Sequence, residues 1–341
     1  MVTPSLLRRF VPLASLPPGD LNEITRSARM GNYQPGQVIF NRGDTAKSAV
    51  YLVSGDVELV SEAGTHVIAA DTGEARNALS RSPRRAATAT CVATAQVLFV
   101  DRERLDLALT WSQTGGVEVV ELREGDEEGG DWMTSMLQSQ AFHRIPPGNI
   151  AQIFAAMKPV EHKAGETILR EGEPGDYYYV VTHGLCRVTQ RDEAGGEQEV
   201  AQVGVGDGFG EEALVSGSPR NATVSAATDC ALMRLAATDF ARLLKAPLLR
   251  ELGPDEIPAD AVLVDVRLAE EWKNGRLPDS VNLPLVHLRE MAVDLDPQRC
   301  YVVYCDTGRR SASATYLLCE RGFDARLLTG GIPADEMPVR G

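Results

Sequence analysis

The chain has 341 residues, 43% hydrophobic and 24% charged, the proportions of a globular protein of two or three domains. A formal net charge of −14 excludes an extended nucleic-acid surface, which needs a basic face, and no apolar run approaches the roughly 20 residues of a membrane span. The six cysteines (91, 186, 230, 300, 305, 319) show no zinc spacing and no disulfide-dense pattern, and the histidines form no ligand set. Met1 to Phe10 lacks the apolar core of a secretory signal. The expectation is a cytoplasmic protein with reduced thiols, without metal, nucleic-acid or membrane partners.

In chain order, Leu21, Ile24 and Ala28 mark a helical face, followed by short β-branched runs at Val38-Ile39-Phe40, Val50 to Val53 and Val57 to Val60. The series recurs. Leu16-Pro17-Pro18-Gly19 aligns with Ile145-Pro146-Pro147-Gly148, Pro35-Gly36 with Ala164-Gly165, Arg42-Gly43-Asp44 with Glu171-Gly172-Glu173, and Gly55 with Gly184, at a constant offset of 129 positions. Strands in the second copy fall at Thr167 to Leu169, Tyr178 to Val181 and Cys186 to Thr189, behind a helix carrying Ile150, Ile153, Phe154 and Met157. Short, evenly spaced strands predict two tandem β-rolls of jelly-roll type with flanking helices, over residues 1–114 and 132–251. Residues 115–131, rich in Glu and Gly pairs, predict a solvated acidic linker and supply no calcium loop.

The most informative stretch is Phe209-Gly-Glu-Glu-Ala-Leu214, a Val215-Ser-Gly-Ser218 hinge, then Pro219-Arg-Asn-Ala-Thr-Val224. Gly210 permits close backbone approach, Glu211 to Leu214 suits one helical turn whose free N–H groups face an anion, and Arg220 offers a forked cation. These residues resemble the phosphate cassette of cyclic-nucleotide-binding domains, as in catabolite activators and kinase regulatory subunits. The resemblance implies Glu211 on the ribose 2′-hydroxyl, Arg220 on the cyclic phosphate, and Phe209, Gly210, Glu212, Ala213, Leu214, Asn221, Ala222 and Thr223 completing the cradle. In the first copy, after a loop some six residues shorter, Glu74 to Ala89 aligns with it. There Ala75 stands opposite Gly210, Arg76 opposite Glu211, and Arg85 opposite Arg220. With Arg76 and Arg85 but no ribose carboxylate, this degenerate cassette is expected not to bind a cyclic nucleotide in the family manner. It is then structural, or it holds a more anionic ligand through Arg76, Arg81, Arg84 and Arg85. Asn221 does not decide between cyclic AMP and cyclic GMP.

After a closing strand at Ala231 to Leu235, a helix is expected over Thr238 to Leu252 with a break at Pro247. Residues 252–341 then turn α/β. Ala261 to Val266 reads as a buried parallel strand, Arg267 to Asn274 as a helix, Tyr301 to Tyr304 as a strand, Ser311 to Arg321 as a helix and Ala325 to Leu328 as a strand. A strand running into Cys305, a Gly-containing loop and a helix start form a cradle that lowers a thiol pKa and attracts an anion. Val264-Asp265-Val266-Arg267 with Glu271-Trp272, Gly275 to Pro284, and Tyr304-Cys305 to Arg310-Ser311 resemble a rhodanese domain. That resemblance implies a parallel sheet and Cys305 as a sulfane-sulfur carrier within the loop Asp306, Thr307, Gly308, Arg309 and Arg310. Cysteine phosphatases place Arg six positions after Cys, where Ser311 stands here, so the shorter loop fits sulfur transfer. Asp306 is expected to weaken attraction for a dianionic donor, and Cys300 and Cys319 are not expected to reach Cys305.

The expected protein is a cyclic-nucleotide-responsive sulfurtransferase. A sulfane-sulfur donor and a thiol or protein acceptor would be its partners, cyclic AMP is favoured over cyclic GMP as regulatory ligand, and a homodimer is allowed. The alternative is a non-catalytic cyclic-nucleotide-sensing scaffold whose rhodanese domain docks a partner.

Overall fold

A computed structural model describes residues 2–114, 132–139, 141–191 and 196–330. The acidic stretch 115–131 lies outside the described residues, so the linker expected there is not addressed.

The repeat folds as two β-rolls. The first contains β1 (Arg29–Tyr33), β2 (Val38–Phe40), β3 (Ser48–Ser54), β4 (Asp56–Ser61), β5 (Gly64–Ala69), β6 (Thr88–Cys91) and β7 (Ala95–Asp101). They form antiparallel sheets ordered β1-β7-β3 and β2-β6-β4-β5. The second contains β8 (Lys158–His162), β9 (Thr167–Leu169), β10 (Tyr177–His183), β11 (Cys186–Arg191), β12 (Glu197–Val203), β13 (Gly208–Phe209), β14 (Thr223–Ala226) and β15 (Cys230–Ala236), ordered β13-β10-β15-β8 and β12-β11-β14-β9. Equivalent helices, Pro18–Ser27 and Pro147–Ala156, precede the rolls, each with proline in its first turn, where the missing N–H costs nothing.

The repeat extends to single hydrogen bonds. Gly43 N donates to Arg85 O and Gly172 N to Arg220 O, both at 2.8 Å. Arg85 N donates to Asp44 O at 2.9 Å, and Arg220 N to Glu173 O at 2.8 Å. Gly43 and Gly172 have φ of 85° and 84°, left-handed values that a side chain resists.

The helix expected over Thr238 to Leu252 is shorter and less regular. An α-turn Ala237–Phe240 passes into a π-helical turn Ala241–Lys245 and a last turn Ala246–Leu248. It ends at Leu248, one residue past Pro247. The Leu243 carbonyl four residues back, which Pro247 cannot serve, accepts from Asn149 Nδ2 at 3.2 Å instead. Glu251–Leu252, expected as helix, is strand β16, paired in parallel with Leu327 and Leu328.

The C-terminal unit is a five-stranded parallel sheet ordered β16-β20-β19-β17-β18, with β17 at Val262–Asp265, β18 at Val281–Asn282, β19 at Cys300–Tyr304 and β20 at Asp324–Leu328. One apolar core runs from the second roll into this sheet, joining Phe240, Leu243, Leu244 and Leu248 to Val264, Leu285, Tyr316 and Leu318. Burying a side chain such as Phe240 contributes about 1.5–3 kcal/mol, so this seam is a real packing interface and not a loose contact. The first roll keeps its own cores, centred on Leu13, Leu21, Tyr51 and Leu98, and on Val50, Val57 and Val97.

Candidate functional site: two cassettes facing a cysteine loop

In the second roll Gly210 has φ 88° and caps the short helix Glu211–Ser216, which ends at Gly217 with φ 69°. A Cβ on Gly210 would lie 2.7 Å from Arg220 Nη1 and 3.2 Å from Tyr177 O, so glycine is required by space as well as by backbone. Phe209 stacks on Tyr179 with centroids 5.2 Å apart, anchoring the cassette in the roll core. Arg220 is 3% exposed and fully engaged at its tips: Nη1 donates to Gly210 O (2.6 Å), and Nη2 to Tyr177 O (2.7 Å) and Asp176 Oδ1 (2.9 Å). Its Nε is buried without a partner. Asp176, which the sequence reading did not select, is thus the acid that holds the guanidinium. Its repeat equivalent is Lys47, and that reversal of charge was the available signal.

The other cassette residues build the frame. Ala213 and Ala222 are buried, Leu214 O accepts from Lys245 Nζ (3.3 Å), and Thr223 Oγ1 accepts from Glu171 N (3.1 Å). Asn221 Nδ2 donates to Glu212 and, at 3.3 Å, to Thr114 O. Glu212 also binds Arg289 Nη2 at 2.8 Å. Glu211 shares a cavity of about 20 Å³ with Glu212, Arg289, Tyr316 and Glu320, on the side of the α/β unit. Its Oε2 is buried without a partner, and burial, with Glu212 beside it, pushes its pKa up to about 7.

The first cassette departs at each of these points. Ala75 is buried in a 3₁₀ turn, Glu74–Arg76, and the Arg76 side chain is exposed. Arg85 keeps one equivalent bond, Nη2 to Ser48 O at 2.5 Å, but lies over the Phe40 ring at 4.3 Å with no acidic partner among the described residues. Burial, with Arg102 nearby, pulls its pKa down to about 10.

The Cys305 loop follows β19 at the carboxyl end of the parallel sheet, where such folds expose their ligand sites. Gly308, with φ 94°, turns the chain into the helix Arg309–Glu320. Cys305 Sγ accepts from Gly308 N (3.1 Å) and Ser311 N (3.4 Å) and lies 3.3 Å from Ser311 Oγ, yet Cys305 has no exposed surface. Neither loop arginine donates to the sulfur. Arg310 makes a forked pair with Glu271 (2.8 and 3.0 Å). Arg309 donates through Nε to Asp106 Oδ2 (3.1 Å) and through Nη1 to Ser216 O (2.7 Å). Thr307 Oγ1 donates to Asp106 Oδ1 at 2.7 Å. Asp306 does not present a free charge: Arg267 Nη1 lies 2.9 Å away and Arg310 Nη2 3.8 Å away. Burial alone would raise its pKa, but Arg267, Arg310, Arg81 and Arg102 hold it below the ordinary carboxylate value. Its expected repulsion of an anionic donor is therefore largely neutralised. Arg267 in turn is locked to Asp265 at the end of β17, beside β19.

Cys319 is buried against Leu248 O and Ala325 O, and no sulfur contact joins it or Cys300 to Cys305. Among the described residues no cluster of three or more His, Cys, Asp or Glu could hold a metal ion, and no helix is long and apolar enough to cross a membrane.

The residues that join these sites were not found by motif. The helix Arg102–Thr114 leaves the first roll and lies between the other two units. Its Asp106 holds the cysteine loop, while Trp111 Nε1 donates to Arg220 O at 3.4 Å. Arg102, Asp106, Trp111 and Arg289 acquire these roles only through contacts distant in sequence, whereas Glu271, which pairs with Arg310, lies in a stretch that the rhodanese resemblance marks.

The family model of the cyclic nucleotide-binding domain matches residues 30–109 and 159–246, and that of the rhodanese-like domain matches 248–336. Over 92 residues the chain is 41% identical to a cAMP-dependent protein kinase regulatory subunit of Dictyostelium discoideum, covering 27% of this chain and 28% of that protein. Over 99 residues it is 38% identical to a cyclic nucleotide-gated potassium channel of Rhizobium etli, covering 29% of this chain and 26% of that protein. The chain thus spans only about a quarter of the length of these curated relatives. Among solved structures, the regulatory domain of Toxoplasma gondii PKA with cAMP is 20% identical, with coverage of 72% of this chain and 91% of that one and a TM-score of 0.32. The chain carries two cyclic nucleotide-binding domains in tandem followed by a rhodanese-like domain.

Proposed function

We propose that the protein is a cyclic-nucleotide-regulated sulfurtransferase of the cytoplasm, with nucleotide bound in the second cassette and Cys305 as the sulfur carrier. The Cys305 thiolate attacks the outer sulfur of a donor such as thiosulfate. A new S–S bond forms at Cys305, the donor S–S bond breaks, and its electron pair leaves on sulfite. An acceptor thiolate then attacks the outer sulfur of the persulfide, and the electron pair returns to Cys305. The N–H groups of Gly308 and Ser311 stabilise the sulfur anion in both steps. The regulatory subunit matched above, named for cAMP, favours cyclic AMP over cyclic GMP.

One side chain carries the regulatory part. Arg309, inside the cysteine loop, is bonded at once to Asp106 of the first roll and to Ser216 O in the second cassette helix. A cyclic phosphate competing for Arg220 with Asp176 and Tyr177 O, and a ribose hydroxyl drawing Glu211 out of its contact with the α/β unit, would both move that helix. The Cys305 sulfur is covered. Nucleotide is expected to uncover it, and linkage requires that an occupied cysteine loop alters nucleotide affinity in return. Thiosulfate-to-thiol transfer measured with and without cyclic AMP should rise several-fold; identical rates and identical acceptor affinities would reduce the arrangement to co-location.

The full burial of Cys305 and the engagement of both loop arginines favour a second reading, a nucleotide-sensing scaffold whose rhodanese-like domain docks a partner. A Cys305→Ser variant that retains full cellular function would select it.

A further inference from the structure

The degenerate cassette of the first roll faces the cysteine loop across a cavity of about 60 Å³. That is room for several waters, each needing roughly 10–15 Å³, or for one small ion. Tyr51, Arg81 and Arg102 line it from the roll, and Arg267, Asp306 and Arg310 from the α/β unit. Of the four guanidiniums that line this cavity three have protein acceptors, as does that of Arg309 next to it in the loop. Arg102 donates to Ser82 O (2.7 Å) and to Arg81 O, Arg267 pairs with Asp265 and Asp306, Arg309 with Asp106, and Arg310 with Glu271. The half-buried Arg81 side chain makes no hydrogen bond or ion pair among the described residues, although its guanidinium borders the cavity. Counting the lining residues Arg81, Arg102, Arg267 and Arg310 against Asp106, Glu271 and Asp306 leaves one positive charge in excess. An idle, partly desolvated guanidinium in a wet cavity with surplus positive charge is the arrangement an oxyanion would complete.

We propose that this cavity binds a small tetrahedral oxyanion, with Arg81 as the residue that holds it. The site belongs to the first roll, whose cassette has no ribose carboxylate, and it takes an anion far smaller than a nucleotide. Burial works against the charge of Arg81 and pulls its pKa down, with Asp306 opposing; a bound anion would relieve that penalty. The shared chemistry covers sulfur oxyanions and inorganic phosphate, and the test separates them.

The experiment is calorimetric titration of the full chain with sulfate, thiosulfate and inorganic phosphate at low ionic strength. Parent, Arg81→Met, Arg81→Lys and Cys305→Ser proteins would be compared, with melting curves as the check on folding. The parent and Cys305→Ser should take up one oxyanion per chain. Arg81→Met should weaken binding about tenfold or more, and Arg81→Lys should recover part of the loss. Tighter binding of the sulfur oxyanions assigns the site to them, and tighter phosphate binding assigns it to phosphate. Should Arg81→Met fail to fold, phenylglyoxal modification of the parent gives the same answer, since bound oxyanion should slow modification of Arg81 several-fold relative to Arg8. Unchanged affinity in a folded Arg81→Met protein, equal modification rates, or no oxyanion uptake by the parent would overturn the proposal. Sulfate carries no transferable sulfur, so failure of sulfur transfer at Cys305 would leave this result standing.

Discussion

The two β-rolls share their turns bond for bond yet hold their equivalent arginines in opposite ways. Arg220 is gripped by a carboxylate and two carbonyls, whereas Arg85 keeps a carbonyl equivalent to one of these, lies on a phenyl ring, and has Lys47 where the second roll has Asp176. In the second roll a glycine at φ 88° leaves space beside the guanidinium; in the first that position is a buried alanine. The helix that leaves the first roll contacts the cysteine loop through Asp106. A duplicated domain can therefore keep its turns while the surroundings of its equivalent arginine change.

The change expected to break this comparison most severely is Arg220→Lys. Loss of the forked cation should lower cyclic AMP affinity about a hundredfold, read by calorimetry, while Arg85→Lys leaves it unchanged. Two equivalent nucleotide sites per chain in the parent would contradict the division of labour outright. Next comes Gly210→Ala. With a Cβ placed 2.7 Å from Arg220 Nη1, the cassette must distort, and affinity should drop about tenfold, with Ala75→Gly in the first roll creating no site.

Asp106→Asn sharpens the other half of the contrast. It removes the charge that holds Thr307 and Arg309, at a cost of about 1.5–3 kcal/mol for charged hydrogen bonds. Basal sulfur transfer should rise a few-fold and its stimulation by nucleotide should shrink. The smallest effect concerns pH. Glu211 has its pKa raised from 4.5 to about 7 in the folded protein, so its contribution to stability is fully present below about pH 4.5 and is lost as pH rises through 7. From pH 5 to 8 the melting temperature of the parent should fall relative to Glu211→Gln by on the order of a few °C. Parallel curves would show that Glu211 is not held in a desolvated pocket.

Most of the fold was legible because its signals are local. The β-branched runs at Val38, Val50 and Val57, the repeated glycines and the apolar run ending at Val266 each specify an element without reference to the rest of the chain. Pro247 shows the same locality: the helix ends one residue beyond it, and what the sequence does not show is that Asn149, from another helix, takes up the Leu243 carbonyl that the proline leaves unserved. The cassette and the cysteine loop were likewise visible as contiguous motifs. Their surroundings were not. Asp106 lies about two hundred positions from Arg309, and Glu212 lies far from Arg289, with nothing in periodicity or composition linking them. Sequence reading also treated Asp306 as a free negative charge, because the neutralising Arg267 belongs to a different strand end.

Arg309 has a mechanical consequence that follows from where it sits. It is the first residue of the helix whose opening N–H groups, at Gly308 and Ser311, point at the Cys305 sulfur. A pull on its side chain by either roll is a pull on the hinge at Gly308, close to the fulcrum and with a long arm. An ångström of travel at the rim would lengthen or shorten the N–H···S bonds and so change how firmly the loop holds the sulfur. The chain could then throttle its nucleophile by degrees, through chemistry as well as through access.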